Sequence, residues 1–251
     1  MVENKNTHLD EYLIESWKKT QDNGLMVYKE FPEFNCSTTG RKDVNMFAKF
    51  CSLQGKVLDI GCGPSIPSYL KDKNIEVGIG IDPLIEVGGD LGKLNFINAV
   101  GEFLPFRREF FDFVCFATSF DHVLDHVLVL KESVRVLKSK GIVIFWVGEK
   151  PVTRPNILNR YYENLSRATR TIERRIVKKY ARPRQGTSDL RAEAQAFKIR
   201  SMQIPKGAID QFHLKHVYYN ELNDLCELLE FTKIDEKFSH SSVFVKYKKN
   251  N

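Results

Sequence analysis

The stretch Val57-Leu58-Asp59-Ile60-Gly61-Cys62-Gly63-Pro64 decides the fold of this chain. Apolar residues and one aspartate lead into a Gly-x-Gly turn, which is typical of a buried parallel strand that ends in a tight loop. Glycine lets the backbone of such a loop approach a ligand without a clash at Cβ. The stretch therefore predicts the first strand of an α/β nucleotide-binding fold, with the ligand at its carboxyl end.

A second apolar run supports this interpretation. Val77-Gly78-Ile79-Gly80-Ile81 ends in Asp82. An acidic residue at the tip of the second strand is where such folds hold the hydroxyls of a ribose. The glycine turn and Asp82 together indicate a cofactor that contains adenosine.

The details of the glycine turn distinguish between cofactors. A dinucleotide fingerprint needs a small third residue, and this chain has Ile66 at that position. Asp59 would place a negative charge beside a pyrophosphate, but it suits a ligand that has an ammonium group and no phosphate. S-adenosylmethionine (SAM) is such a ligand, so the order Asp-x-Gly-x-Gly favours SAM over NAD.

The rest of the chain alternates between strand and helix patterns. Further strands are predicted within 95–106, 111–117, 141–147, 231–234 and 242–247. Helical spacing predicts a helix that ends near Leu137 with Gly141 as its C-cap, and another over 220–229 with Asn220 as its N-cap. We therefore expect an α/β, Rossmann-like, doubly wound sheet of seven mostly parallel strands, with an antiparallel last strand and an inserted helical lid.

Four segments follow from this pattern. Residues 1–50 are expected to form an N-terminal helical cap, and 51–150 the SAM-binding Rossmann-like core. Residues 151–215 are expected to form a basic helical insertion or lid, and 216–251 the last helix and the last two strands.

At this point the chain resembles the class I SAM-dependent methyltransferases, in particular type 11-like enzymes of sugar and polysaccharide biosynthesis. The resemblance lies in the glycine turn at 57–64, Asp82, the Glu-Phe-Leu-Pro-Phe loop at 102–106, the Ser-Phe-Asp-His-Val stretch at 119–123, and the helix end at 135–141. One departure is Val100, where many relatives have an aspartate that contacts the adenine.

The resemblance and the turn chemistry imply a set of cofactor-binding residues. These are Asp59, Gly61, Cys62, Gly63, Asp82, Pro83, Gly101, Glu102, Phe103, Thr118 and Ser119. The implied reaction is an in-line methyl transfer, in which the protein aligns and deprotonates the acceptor.

Histidine is the usual base for a hydroxyl acceptor. His122 follows the fourth strand, and Asp121 beside it orients it if the chain turns there. His213 and His216 are rival bases if the loop that holds them folds over the site. His216 is also a candidate for substrate binding. The alternative is that Asp121 caps the next helix and His122 packs under the cofactor. The sequence spacing suggests no metal site.

The segment 151–200 is strongly basic. It holds ten arginines and three lysines against four acidic residues, an excess of +9 in a chain of net charge +6. Its apolar spacing predicts a long amphipathic helix over 157–180, and Arg160, Arg167 and Arg174 are candidates to bind an anionic substrate. Alternatively this helix is a solvated face, a homodimer contact, or a docking surface for nucleic acid.

Composition agrees with a cytoplasmic enzyme. The five cysteines have no disulfide or zinc spacing, and neither a signal-peptide core nor a membrane-spanning apolar run is visible. The favoured function is O-methylation of a sugar or another anionic small molecule. The alternatives are methylation of RNA through the basic insertion, and a non-catalytic SAM-binding or assembly subunit.

Overall fold

The computed structural model describes residues 6–31, 41–64, 67–85, 94–149, 187–239 and 242–250. Its strands are β1 (Gly55–Ile60), β2 (Ile75–Ile81), β3 (Leu94–Ile97), β4 (Phe111–Ala117), β5 (Leu137–Gly148), β6 (Phe231–Ser239) and β7 (Ser242–Lys249). They form one seven-stranded sheet in the order β3-β2-β1-β4-β5-β7-β6.

The strand directions confirm the predicted fold class. β1 to β5 pair with one another in parallel. β7 runs antiparallel to both β5 and β6. The sheet is therefore mostly parallel with an antiparallel strand inserted near one edge, and its strand order reverses beside β1.

The central strands are apolar because both of their faces are covered. Along β4, Val114 and Phe116 belong to the core cluster on one face, and Phe113 and Cys115 belong to the cluster on the other. The period of two residues along a strand produces this alternation.

The described helices are α1 (Asn6–Glu30), α2 (Lys42–Cys51), α3 (His126–Val136), α4 (Thr187–Ser201) and α5 (Tyr219–Leu228). Three of them, α2, α3 and α5, cover the two faces of the sheet. Phe47 of α2 packs in one core cluster, whereas Leu130 of α3 and Leu222 of α5 pack in the other. Among the described helices, none combines the length and the apolar character that crossing a bilayer requires.

Two predicted helix caps are wrong. α3 ends at Val136 with Leu137 as its C-cap, and β5 begins there. Gly141 lies inside β5, where a Cβ would come within 2.9 Å of the carbonyl oxygen of Lys138, so close backbone approach explains this glycine. Asn220 lies inside α5, whose N-cap is Tyr218 without a side-chain capping bond.

The chain divides into two compact units. One comprises Met1–Lys150 with Met202–Asn251, and the other is Pro151–Ser201, of which α4 is described. The amphipathic helix expected over 157–180 lies outside the described residues. The four segment boundaries of the sequence analysis stay predictions.

Candidate functional site

Three neighbouring strands end at one edge of the sheet and lead into the predicted site residues. β1 is followed by the glycine turn, β2 by Asp82, and β4 by residues 118–122. β1 pairs in parallel with both β2 and β4, so the three segments follow adjacent carboxyl ends. Ligands of open α/β sheets bind at this edge.

The glycine turn is fixed tightly against its neighbours. Gly61 and Gly63 have φ angles of 74° and 76°, a region that glycine adopts without strain. A Cβ on Gly61 would lie 2.3 Å from the Cβ of Ser119. The amides of Gly61 and Cys62 both donate to the carbonyl of Ile81, at 2.8 and 3.2 Å. Gly61 is therefore required by its backbone conformation and by the space around it.

Asp82 holds the turn from the end of β2. Its Oδ2 accepts a 2.8 Å hydrogen bond from the amide of Gly63, and its Oδ1 accepts one of 2.8 Å from the amide of Leu84. Burial raises the pKa of this carboxyl, while the two amides and the charge of His122 act in the opposite direction. Asp82 thus organises the loop, and its contact with a ribose stays a prediction.

Asp59 is a fully buried carboxylate with one unsatisfied oxygen. Its Oδ2 accepts a 2.8 Å hydrogen bond from the hydroxyl of Tyr69, whereas Oδ1 has no hydrogen-bond partner among the described residues. Burial raises the pKa of Asp59 to about 7, with the negative charge of Asp82 adding to the effect. A buried, unpartnered carboxylate oxygen fits a cationic ligand group, held directly or through a water.

Glu102 anchors the Glu-Phe-Leu-Pro-Phe loop at 102–106. Its Oε1 accepts hydrogen bonds from the amides of Leu124 and Asp125, at 2.7 and 3.1 Å, and its side chain is buried. The neighbouring Phe103 is 73% exposed, which is unusual for a large apolar residue. The acid therefore ties this loop to the start of α3, and the phenylalanine offers an open apolar surface.

Other predicted cofactor residues turn their side chains into the protein. The hydroxyl of Ser119 donates to the carbonyl of Ile60, the thiol of Cys62 is buried, and a Cβ on Gly101 would lie 2.9 Å from the side chain of Ile60. Thr118 is exposed and has a φ of 63°. These residues shape the backbone of the site, so any contact with a ligand would come from their main chain or from Thr118.

A cluster of histidines and aspartates follows β4. We define the histidine cluster as Asp121, His122, Asp210, His213 and His216. Nδ1 of His216 lies 3.3 Å from Oδ2 of Asp121, and Nε2 of His213 lies 3.6 Å from the same oxygen. The rings of His122 and His213 are 4.3 Å apart between centroids. The structure thus brings together all three residues predicted to be catalytic, and His216 with them.

Asp210 is a member that the sequence analysis missed. Its Oδ1 lies 2.9 Å from Nδ1 of His213, and its Oδ2 lies 3.2 Å from Nε2 of His216. The regular spacing Asp210-x-x-His213-x-x-His216 is the signal in the sequence.

The cluster shifts the pKa values of its members. Burial raises the pKa of Asp121, but the hydrogen bond with His216 and the charges of the other histidines outweigh it and leave this pKa below its ordinary value. The same hydrogen bond raises the pKa of His216. Burial lowers the pKa of His213. The cluster therefore favours a negatively charged Asp121 beside a positively charged His216, within a small and partly buried volume.

α1 holds the cluster from one side, which the sequence analysis also missed. The indole nitrogen of Trp17 donates a 2.7 Å hydrogen bond to the carbonyl of His122. Asn23 donates one of 2.8 Å to the carbonyl of Gln211, and Ser16 one of 2.7 Å to that of Lys206. Both segments that supply the cluster are thus attached to one helix.

The remaining predictions concern the cap of α3, the position of Pro83 and the three arginines of the basic segment. Asp121 is not the cap of α3, because Asp125 accepts the amide of Leu128 there. The carbonyl of Pro83 accepts a 3.1 Å hydrogen bond from the side chain of Asn98, a second loop anchor that the sequence analysis missed. Arg160, Arg167 and Arg174 lie outside the described residues.

Comparisons with known proteins agree with this geometry. Residues 58–145 match the sequence model of a family described as a methyltransferase domain. An uncharacterized protein of Methanocaldococcus jannaschii is 30% identical over 110 residues, which cover 44% of this chain and 51% of that protein. This chain therefore spans about half the length of the curated relative that it matches.

Solved structures share the fold over most of the chain. The 1,6-didemethyltoxoflavin-N1-methyltransferase of Burkholderia thailandensis, with bound 1,6-didemethyltoxoflavin and S-adenosylhomocysteine, is 12% identical, with a TM-score of 0.57 over 97% of this chain and 90% of that chain. The PH0226 protein of Pyrococcus horikoshii is 21% identical, with a TM-score of 0.51 over 89% and 98%. The chain thus has the α/β Rossmann-like fold of these solved structures, and its residues 58–145 are similar to a methyltransferase domain.

Proposed function

We propose that this chain is a SAM-dependent methyltransferase that methylates a hydroxyl oxygen of a sugar or another anionic small molecule. One observation carries the proposal. A buried carboxylate oxygen without a described partner, on Asp59, lies beside a rigid glycine turn, and the histidine cluster follows the adjacent strand. A cation-binding position and a group of hydrogen-bonding imidazoles at one sheet edge suit a sulfonium cofactor and a hydroxyl acceptor.

The residues that would hold SAM have free capacity for it. Oδ1 of Asp59 suits the α-ammonium group, directly or through a water. Each carboxylate oxygen of Asp82 accepts one amide and retains a second lone pair, which suits a ribose hydroxyl. The exposed ring of Phe103 suits the adenine face. When bound, SAM would supply an electrophilic methyl group on its sulfonium.

His122 is the residue that we assign to the acceptor. Its Nδ1 lies 3.2 Å from the carbonyl oxygen of Phe212, so this nitrogen carries the hydrogen. The lone pair then lies on Nε2, which can accept a hydrogen bond from an acceptor hydroxyl. His122 follows β4, and Asp82 follows β2, both at the edge where the glycine turn follows β1.

The preference for an anionic acceptor rests on composition. Residues 151–200 have an excess of +9, which leaves −3 for the rest of the chain because the total is +6. Arginine binds phosphate and carboxylate groups with two parallel hydrogen bonds. Arg160, Arg167 and Arg174 are therefore proposed as substrate-binding residues.

A methyl-transfer screen tests the proposal. The chain would be incubated with isotope-labelled SAM and either sugar nucleotides, other phosphorylated small molecules or RNA. We expect label in a small anionic hydroxyl compound, and a large loss of turnover in His122→Gln but not in His126→Gln, a histidine outside the histidine cluster. Transfer only to RNA, with affinity falling steeply with salt, would overturn the proposed substrate class.

A further inference from the structure

Three side chains of the histidine cluster converge on one point. Asp121, His213 and His216 each offer one ligand atom, and these atoms all lie within 4.8 Å of one another. They come from two distant parts of the chain, the turn after β4 and the loop before α5. Spacing in the sequence therefore gives no sign that they meet.

The distances agree with those around a tetrahedral metal ion. Two ligands at roughly 2.0–2.1 Å from a tetrahedral Zn²⁺ ion are about 3.4 Å apart. Oδ2 of Asp121 lies 3.3 Å from Nδ1 of His216 and 3.6 Å from Nε2 of His213. These two distances are within a few tenths of an ångström of that value, and all three ligand atoms lie within 4.8 Å of one another, so completing the coordination requires the two imidazole nitrogens to close to about 3.4 Å.

Asp210 identifies which nitrogen of each imidazole faces the shared point. Its Oδ1 and Oδ2 lie 2.9 and 3.0 Å from Nδ1 of His213, and its Oδ2 also lies 3.2 Å from Nε2 of His216. A hydrogen on each of these nitrogens satisfies both carboxylate oxygens. The opposite nitrogens then direct their lone pairs at Oδ2 of Asp121, which is also a lone-pair donor.

Three lone-pair donors that face one another need a positive charge between them, which a proton on Nδ1 of His216 supplies in the hydrogen bond with Asp121 and a metal ion supplies when it replaces that proton. At many metal sites a carboxylate holds the outer nitrogen of a histidine while the inner nitrogen binds the metal. The ligands also remain accessible, because the side chains of His213, Asp121 and His216 are 16%, 27% and 32% exposed.

We propose that Asp121 Oδ2, His213 Nε2 and His216 Nδ1 bind a divalent first-row transition-metal ion, with Asp210 orienting both imidazoles. Two imidazoles and one carboxylate suit Zn²⁺, Co²⁺ or Mn²⁺, whereas Mg²⁺ prefers oxygen ligands and water. Three protein ligands leave a further coordination position open, which is the pattern of catalytic metal sites. The site goes beyond the proposed methyl transfer and does not depend on SAM.

Titration calorimetry of the chelator-treated chain with Zn²⁺ tests the site. We expect one equivalent to bind in the absence of SAM, and Mg²⁺ to bind at least 100-fold more weakly. His216→Gln and Asp121→Asn should each weaken Zn²⁺ binding about 100-fold or more, and Asp210→Asn about 10- to 100-fold. His126→Gln is the matched control and should retain the wild-type affinity.

Cobalt spectroscopy checks the ligand type. Substitution with Co²⁺ should give visible bands of a nitrogen and oxygen site, without the near-ultraviolet band of a thiolate ligand, so cysteine binding is separated from binding at this site. Circular dichroism would show that each variant is folded. If wild type binds no Zn²⁺, or if both His216→Gln and Asp121→Asn bind it as wild type does, the cluster is an ion-pair network and the metal proposal is overturned. Neither result bears on SAM affinity, which separates this test from that of the proposed function.

Discussion

The hydroxyl of Tyr69 donates a 2.8 Å hydrogen bond to Oδ2 of Asp59, and Oδ1 of the same carboxylate faces no described donor. Tyr69 therefore satisfies half of a buried charge and leaves the other half for a ligand. The cofactor hypothesis therefore depends chiefly on Asp59, which directly follows two buried apolar residues of β1, Val57 and Leu58.

The buried carboxyl of Asp59 predicts a dependence of stability on pH. Its pKa is raised from 3.8 to about 7 in the folded chain. The folded state thus binds more protons than the unfolded state between these values, so the contribution of Asp59 to the free energy of unfolding is full below about pH 4 and is lost as pH rises to about 7. Measured by urea unfolding, the free energy of unfolding should fall less steeply with rising pH in Asp59→Asn than in wild type. Parallel declines in the two proteins would show that Asp59 ionises normally.

Gly61 is predicted to tolerate no side chain. Gly61→Ala combines a positive φ with a Cβ 2.3 Å from that of Ser119, so we expect a loss of at least about 2 kcal/mol in the free energy of unfolding. Gly24→Ala in α1 is the control, because a Cβ there has no heavy atom of the described residues within 4 Å. Alanine should stabilise that helix by about 0.5–1 kcal/mol. Equal effects of the two substitutions would contradict the tight contact with Ser119.

Glu102 is predicted to be a structural anchor as well as a candidate cofactor residue. Glu102→Ala leaves the amides of Leu124 and Asp125 without their acceptor, which should cost about 2 kcal/mol in the free energy of unfolding. Glu76→Ala, on an exposed position of β2, should change it by less than about 0.5 kcal/mol. Thermal and chemical unfolding measure both variants. A wild-type stability for Glu102→Ala would mean that the loop holds its conformation without this carboxylate.

Trp17 is predicted to position His122. Trp17→Phe removes the indole donor to the carbonyl of His122. The loss of this hydrogen bond should raise the activation free energy by about 1 kcal/mol, which lowers kcat several-fold. KM for SAM should change little, because the hydrogen bond of Trp17 is made to a member of the histidine cluster. Lys19→Ala, an exposed position of the same helix, should leave kcat unchanged. An effect of Trp17→Phe on KM for SAM alone would argue that α1 acts on the cofactor residues instead.

The sheet could be predicted because its residues carry local signals. The apolar run before Gly61 and the aromatic run of β4 mark buried parallel strands, and the glycine turn marks the loop that follows β1. Helix ends were less predictable. Gly141 looks like a C-cap, but it lies inside β5, where a Cβ would approach the carbonyl of Lys138 in the same strand and, at 3.3 Å, that of Asp112 in β4. The approach to Asp112 depends on the pairing of the two strands, which local sequence does not show.

The histidine cluster was predictable only in part. Its position after β4 follows from the order of the strands, so His122 and Asp121 could be placed at the correct edge. The partnership of Asp210 with two histidines depends on the path of the loop before α5, and local sequence patterns do not determine that path. The anchoring of both segments by α1 likewise depends on long-range contacts such as that of Trp17 with His122.

The most direct measurement is the affinity for SAM of wild type and of Asp59→Ala, by titration calorimetry at pH 8. We predict that wild type binds SAM and that the variant binds it at least about 10-fold more weakly, a difference of about 1.4 kcal/mol, because the buried carboxylate oxygen no longer meets the cationic group. Asp235→Ala, exposed on β6, should bind as wild type does. Undiminished binding of SAM to Asp59→Ala, or no binding to wild type, would contradict the account.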